Sequence, residues 1–166
     1  NTVFWTSEGN ESCNSDPCML TLNLKSNQLN QLKLPENLTS INDVKISPEG
    51  GNLLIQETRE GIDYLRIFKL KNDRLLMEIP SFISGSYVIW NTRWLSENEV
   101  TYTLETIGKP ASIQSYNIKT EKYENWTKER LPQQLEGKVK PPEIIKWKSF
   151  DQKEITGYVV RPTARV

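Results

Sequence analysis

The stretch "RIFKLKNDRLLMEI", residues 66–79, decides the fold because its pattern recurs along the chain. Apolar and polar residues alternate on both sides of a short, Lys-led polar turn, which is typical of an antiparallel hairpin with one buried face. The same pattern occurs in "LTLNLKSNQLNQLKL" (20–34) and "IQSYNIKTEKYENW" (113–126). The equivalent residues are Leu22, Phe68 and Tyr116, then Leu24, Leu70 and Ile118, then Leu29, Leu75 and Tyr123. Three copies indicate a repeat architecture.

A second hairpin pattern fills the gaps between these copies. "VKISPEGGNLLIQE" (44–57) matches "TRWLSENEVTYTLE" (92–105), with turns rich in Ser, Pro, Gly and Asn. Copies of both patterns lie about 46 to 48 residues apart, close to the spacing of propeller blades, about 40 to 50 residues. The sequence therefore predicts an all-β fold, a partial β-propeller of four-stranded antiparallel blades, about two and a half in number. An ordinary β-sandwich with accidental similarity is the alternative.

The predicted units follow from where the repeat begins and breaks. They are a truncated blade (1–38), two blades (39–85 and 86–130), a linker (131–142) and a terminal β-hairpin (143–166). In a meander, successive connections alternate between the two faces of the propeller. One face is predicted to carry short turns, and the other to carry the longer connections and so the binding surface. The longer connections are predicted at 9–18, 35–43, 58–63, 80–91 and 105–111.

The composition excludes several classes of function. The chain contains 21 basic and 21 acidic residues and no histidine. Without histidine it cannot hold a Ser-His-Asp triad, and it lacks the commonest zinc ligand. Its balanced charge disfavours nucleic acid as a partner, and no apolar run reaches the length of about 18 to 20 residues that a membrane helix needs. We therefore predict no catalytic residue, metal or cofactor in this chain, and no nucleic-acid or membrane partner.

The two cysteines, Cys13 and Cys18, lie in "ESCNSDPCM". This spacing suits either a small loop disulfide or two free thiols, and it is a poor metal site. A disulfide would indicate an oxidising compartment, so a periplasmic or secreted location is the expectation that the pair supports.

The end of the chain, "PPEIIKWKSFDQKEITGYVVRP" (141–162), breaks the repeat and reads as strand, turn and strand. With the blades before it, this stretch resembles the junction of the prolyl oligopeptidase family of serine peptidases, in which a β-propeller precedes an α/β-hydrolase domain. The family pattern is Pro-Glu, a strand, Ser-Phe-Asp-Gly, a second strand and Arg/Lys-Pro. Gln152 departs from it where the family has Gly. The matching residues are Pro142, Glu143, Ser149, Phe150, Asp151, Arg161 and Pro162.

The resemblance implies that the chain is the C-terminal part of a propeller, followed by the first hairpin of the hydrolase domain. The fragment itself would be inactive, and would support the catalytic domain and filter the peptides that reach it. Arg59 and Glu60, on the predicted binding face, would contact substrate or the catalytic domain, with a solvated loop as the alternative. In the chain without the rest of the hydrolase domain, the terminal hairpin is expected to pack its apolar face on a blade or on another copy of the chain. The competing interpretation is a TolB-like propeller that binds a partner protein and carries no enzyme.

Overall fold

The structure, a computed structural model, describes residues 2–7, 18–38, 40–71, 74–83, 87–106, 109–128, 130–134, 138, 140 and 142–161. Every regular element in these ranges is a β-strand. The strands are β1 (Thr2–Ser7), β2 (Cys18–Asn23), β3 (Gln28–Leu32), β4 (Ile41–Ile46), β5 (Asn52–Arg59), β6 (Ile62–Lys71), β7 (Arg74–Ile83), β8 (Tyr87–Ser96), β9 (Glu99–Thr106), β10 (Lys109–Asn117), β11 (Lys122–Asn125), β12 (Glu143–Lys148) and β13 (Glu154–Val159).

The strands form separate antiparallel sheets in chain order. Sheet A contains β1–β3, sheet B contains β4–β7 and sheet C contains β8–β11, while β12 and β13 form a two-stranded hairpin. Each strand pairs with its neighbours in sequence, so each sheet is a meander. The all-β prediction is confirmed, and the predicted four-stranded meanders are found in sheets B and C. The number of blades remains a prediction.

The three sheets stack through their apolar faces. Strand β5 is buried on both sides because alternate residues point to opposite faces of the sheet. Leu53 and Ile55 belong to the core cluster shared with sheet A, whereas Leu54 belongs to the cluster shared with sheet C. Full burial of such a side chain stabilises the fold by about 1.5 to 3 kcal/mol. Sheet B is therefore the middle layer, and it holds the stack together.

The predicted repeat is visible in the turns of the 20–34 and 113–126 copies. Asn23 accepts backbone N–H bonds from the two following turn residues at 3.0 and 3.2 Å, and Asn117 does the same at 3.1 and 3.0 Å. Both turns end on a residue with positive φ, Asn27 at 53° and Glu121 at 56°. The corresponding "KNDR" turn falls partly outside the described residues.

A carboxylate joins the β4–β5 turn to the β8–β9 turn. Glu97 Oε1 accepts from Ser47 Oγ at 2.8 Å, Asn52 Nδ2 at 2.9 Å and Gly51 N at 3.1 Å, and Glu97 Oε2 accepts from Glu49 N at 2.9 Å. Hydrogen bonds to a charged acceptor are stronger than neutral ones. Glu97 thus fixes sheets B and C to each other at one edge of the stack.

The predicted contrast in connection length between the two faces holds only in part. The connections 8–17 and 33–40 are longer than any turn on the other face, but the other three connections predicted to be long are short. Strand β5 ends at Arg59 and β6 begins at Ile62, so the expected loop at 58–63 is a two-residue turn. Strand β7 extends to Ile83 and β8 begins at Tyr87, which also shortens the expected 80–91 connection. Backbone hydrogen bonds between neighbouring strands continue through these residues, although their polarity suggested a loop.

Candidate domain-docking site

The β5–β6 turn is the centre of the candidate site. Its two central residues, Glu60 and Gly61, both have positive φ, 48° and 77°. A two-residue hairpin turn of type I′ requires this geometry, because it matches the right-handed twist of the flanking strands. Glycine takes it without strain and glutamate does not. The turn thus projects the Glu60 side chain and its carbonyl away from sheet B.

The terminal hairpin docks on this turn through two polar contacts. Lys146 Nζ donates to Glu60 Oε1 at 2.6 Å, and Tyr158 Oη donates to the Glu60 carbonyl oxygen at 2.6 Å. The Tyr158 ring also lies against Gly61, where a Cβ atom would be 2.8 Å from the ring carbon Cε2. A hairpin that is 86 to 98 residues away in sequence is thus seated on a single turn of sheet B.

The two faces of the hairpin differ in character. Ile144 pairs with Tyr158 and Lys146 with Thr156, so these residues share the face that contacts the turn. The opposite face is apolar and exposed. Its large side chains are Ile145, Trp147 and Ile155, exposed by 39%, 47% and 38%. The expectation that the apolar face packs on a blade is therefore wrong, because the face that contacts sheet B carries the lysine and the tyrosine instead. Packing of the apolar face on another copy remains a prediction.

The junction residues lie where the strand-turn-strand pattern puts them. Glu143 and Arg161 form an ion pair across the open end of the hairpin, with 3.0 Å between Arg161 Nε and Glu143 Oε2. At the closed end, Ser149 N donates to the Lys153 carbonyl at 2.8 Å. Gln152 has φ 67°, the left-handed conformation that glycine adopts without strain.

The other junction residues make fewer contacts. Phe150 is 99% exposed in the turn, and Pro142 is partly buried. Asp151 pairs with Lys153 Nζ at 3.1 Å. Pro162 lies outside the described residues.

Arg59 lies beside Glu60 in sequence and has a different role. It forms a close ion pair with Glu57, whose side chain is fully buried, and its guanidinium carbon lies 5.4 Å from the centre of the Tyr64 ring. Arg66 Nη1 is 3.4 Å from the same Glu57 oxygen, and Arg66 Nη2 donates to Asn37 Oδ1 at 3.1 Å. Among the described residues, Glu57 Oε2 and Arg59 Nε have no hydrogen-bond partner. Arg59 therefore belongs to an ionic cluster on sheet B that also contacts Asn37 in the connection between β3 and β4.

An open depression of about 500 Å³ lies next to the docked hairpin. Ser40, Thr58, Arg59, Glu60, Ile62 and Tyr64 line it. Its walls combine the charged side chains of Arg59 and Glu60 with hydroxyl groups and apolar carbon.

The contacts of the hairpin shift the pKa values of three of its side chains. Hydrogen bonds to Glu60 and then to Glu154 raise the pKa of Lys146 above its usual 10.5. Burial, and then the charge of Glu60, raises the pKa of Tyr158 above 10.0. The hydrogen bond from Lys153 lowers the pKa of Asp151. At neutral pH the docking contact thus joins a protonated lysine and a neutral tyrosine hydroxyl to Glu60.

The described residues contain no cluster of three or more His, Cys, Asp or Glu side chains that could hold a metal ion. No helix in those ranges is long and apolar enough to cross a membrane. Cys18 is buried at the start of β2, while Cys13 lies outside the described residues, so their pairing remains a prediction.

Sequence reasoning singled out Glu60 but missed its partners, Lys146 and Tyr158. Alternation along β12 and β13 indicates that these two residues share one face. No local signal shows which distant turn that face would contact.

Stacked antiparallel meanders, joined at one end to a hairpin, define a propeller-type all-β fold. Comparison with solved structures places this fold among the prolyl oligopeptidases. A prolyl endopeptidase from a study of inter-domain dynamics in catalysis and specificity matches 89% of this chain, with a TM-score of 0.68 and 16% identity. A post-proline cleaving enzyme from Rickettsia typhi matches 99%, with a TM-score of 0.69 and 16% identity. Prolyl oligopeptidase B from Galerina marginata matches 89%, with a TM-score of 0.62 and 15% identity.

These similarities confirm, at the level of the fold, the resemblance that the junction motif predicted. The chain spans 21%, 25% and 21% of those three proteins, so it corresponds to a segment of each. No protein-family model matches the chain, and no curated protein does.

Proposed function

We propose that this chain is the C-terminal part of the propeller of a prolyl-oligopeptidase-like serine peptidase, with the hydrolase domain beginning at the terminal hairpin and continuing beyond Val166. The chain would be non-catalytic by itself. It would support the catalytic domain and control the access of peptides to it. The proposed units are the truncated blade 1–38, the blades 39–85 and 86–130, the linker 131–142 and the hairpin 143–166.

The observation that carries the proposal is the way the hairpin is seated. Its polar face is held on the β5–β6 turn by Lys146 and Tyr158, while its apolar face remains open. An isolated two-stranded hairpin is at best marginally stable in water, so a hairpin with an open apolar face needs further structure against that face. The remaining strands and helices of a hydrolase domain would supply it.

The gating role rests on the position of the docking contact. Glu60 joins sheet B to the first strands of the proposed catalytic domain, and the adjacent depression opens beside that joint. A peptide passing between the two domains would meet Arg59, Glu60 and Tyr64. The polar, exposed character of the contact suits an interface that opens and closes, because interfaces of this kind are weaker than apolar ones.

The chemistry would come entirely from the hydrolase domain. With no histidine, this chain cannot supply the base of a Ser-His-Asp triad. The similar proteins are named as prolyl endopeptidases and a post-proline cleaving enzyme, so peptides that contain proline are the first substrates to test.

The test compares two proteins on a chromogenic Xaa-Pro amide. One is the 166-residue chain, and the other is the product of the whole reading frame that contains it. We expect turnover by the long protein and none above the buffer blank by the short one. Turnover by the short chain, or a long protein inert toward every proline-containing peptide, would contradict the proposal.

A further inference from the structure

Arg59 brings a positive charge to the wall of the depression beside the docked hairpin. Its side chain is 34% exposed and lines the depression. Arg59 Nη2 donates to Glu57, whereas Arg59 Nε has no hydrogen-bond partner among the described residues. A guanidinium group carries five N–H donors. The ion pair with Glu57 therefore leaves Arg59 with donors for a second carboxylate that enters the depression.

Two neighbours hold the Arg59 guanidinium in place. Glu57 and Tyr64 are cross-strand partners on β5 and β6, and Arg59 lies two residues beyond Glu57 on the same face of sheet B. The Arg59 guanidinium carbon is 5.4 Å from the centre of the Tyr64 ring, within the range of a cation–π contact. A side chain that is already ordered loses less conformational entropy when it binds a ligand. Arg59 is thus prepared for binding before a ligand arrives.

The docked hairpin changes the charge that an anionic ligand would meet. Glu60 lies in the same wall as Arg59, and its carboxylate alone would repel such a ligand. Lys146 Nζ lies 2.6 Å from Glu60 Oε1 and 3.1 Å from Glu154 Oε1, so the hairpin supplies the cation that pairs with Glu60. Glu57 is already paired with Arg59. Negative charge next to Arg59 in the described structure is therefore balanced only while the hairpin is docked.

We propose that Arg59 binds a carboxylate group of a peptide in this depression, and that the docked hairpin strengthens the binding because Lys146 neutralises Glu60. Arginine suits this task, since its planar fork can pair with both oxygens of a carboxylate. The choice of a peptide as ligand rests on the proposed function, in which this surface controls the access of peptides. A peptide carries carboxylates at its C-terminus and on Asp and Glu side chains, and the experiment separates these two sources.

The experiment is a titration of the 166-residue chain at low ionic strength, followed through its amide signals by nuclear magnetic resonance. The ligands are three N-acetylated peptides: Gly-Ala-Pro-Ala-Gly with a free C-terminus, the same peptide as its C-terminal amide, and the C-terminal amide of Gly-Ala-Pro-Glu-Gly. We expect at least one carboxylate peptide to bind about tenfold more tightly than the uncharged amide, because a hydrogen bond to a charged group is lost without it. Tighter binding of the first peptide identifies a C-terminal carboxylate, and tighter binding of the third identifies an acidic side chain. Equal affinity for all three peptides, or no binding of any, would overturn the proposal.

Variants of the arginine test whether Arg59 is the binding group. Arg59→Gln should abolish the preference for a carboxylate, whereas Arg93→Gln should keep it, because Arg93 is an exposed arginine of β8 that does not line the depression. Arg59→Gln also removes a partner of the buried Glu57, so Arg59→Gln combined with Glu57→Gln is the second variant. Far-UV circular dichroism shows which variants keep their strands. A preference that survives in a folded variant without Arg59 would overturn the proposal.

A charge cycle tests the part assigned to the hairpin. Lys146→Gln should weaken binding of the carboxylate peptide about two- to fivefold, because Glu60 then faces the ligand without its cation. Adding Glu60→Gln to this variant should restore the affinity. Lys148→Gln is the matched control, since Lys148 lies two residues further along β12 on the same face. Full affinity in Lys146→Gln, or no recovery on adding Glu60→Gln, would overturn the role of the hairpin. The assay measures binding and not turnover, so its outcome is independent of the activity test above.

Discussion

The seating of the hairpin is tested most sharply by two glycines with the same backbone conformation. Gly61 has φ 77° and Gly50 has φ 80°. Alanine at either position carries a left-handed strain of about 1 to 2 kcal/mol. The surroundings differ, because a Cβ at Gly61 would lie 2.8 Å from Tyr158, whereas a Cβ at Gly50 meets nothing within 4 Å. Gly50→Ala is therefore the matched control for Gly61→Ala.

The extra cost of Gly61→Ala comes from the displaced tyrosine. The new methyl group pushes Tyr158 away from the turn and breaks its 2.6 Å hydrogen bond to the Glu60 carbonyl. A hydrogen bond of this kind contributes about 0.5 to 1.5 kcal/mol net. The free energy of unfolding should thus fall by about that much more for Gly61→Ala than for Gly50→Ala. Urea denaturation followed by circular dichroism measures both values.

A double-mutant cycle then assigns the difference to the hairpin. In the Tyr158→Ala background the ring is gone, so Gly61→Ala and Gly50→Ala should cost the same. Equal costs in the wild-type background would refute the reasoning, since the hairpin would then not be seated on this turn in solution. A difference that persists without Tyr158 would refute it as well, because its cause would lie elsewhere.

Three further predictions concern Glu97, Gln152 and Lys146. Glu97→Ala should lower the free energy of unfolding by about 2 to 4 kcal/mol in urea titrations, because several donors lose a charged acceptor; an effect near zero would mean that Glu97 does not join the sheets. Gln152→Gly should raise hairpin stability by about 0.5 to 1 kcal/mol, because it relieves a left-handed strain of about 1 to 2 kcal/mol and costs about 0.5 to 1 kcal/mol of backbone entropy. Slower amide exchange in β12 and β13 measures the gain, and unchanged exchange would contradict it. Tyr158→Phe removes the other titrating group of the contact. In this variant the hairpin should stay docked on the β5–β6 turn at every pH below the usual pKa of lysine. The contact should be lost as the pH rises through the raised pKa of Lys146, because the neutral amine no longer pairs with Glu60. The ring-current shift of the Gly61 Hα signal reports it, and a shift unchanged in strong alkali would exclude the lysine contact.

Much of the fold was predictable because its rules are local. The period-two alternation and the Lys-led turns predicted the meanders, and the repeat predicted that residues such as Phe68 and Tyr116 occupy equivalent buried positions. The departure of Gln152 from the family pattern was also visible in the sequence, but its positive φ of 67° was not predicted.

What could not be predicted depends on contacts that are distant in sequence. The polar residues of 58–63 suggested a loop, but pairing of β5 with β6 continues to Arg59 and Ile62. The apolar face of the hairpin was expected to pack on a blade or on another copy. The opposite face contacts sheet B instead, where Lys146 donates to Glu60, which is 86 residues away in sequence. Alternation tells which residues share a face, and only the assembled fold decides which face is covered.

The coding sequence after Val166 tests the central claim most directly. If the chain is the propeller part of a serine peptidase, the reading frame continues for about 200 residues or more and contains a G-x-S-x-G strand-turn-helix motif, followed by an aspartate and then a histidine. A stop codon immediately after Val166, or a continuation without that serine and histidine, would contradict the account.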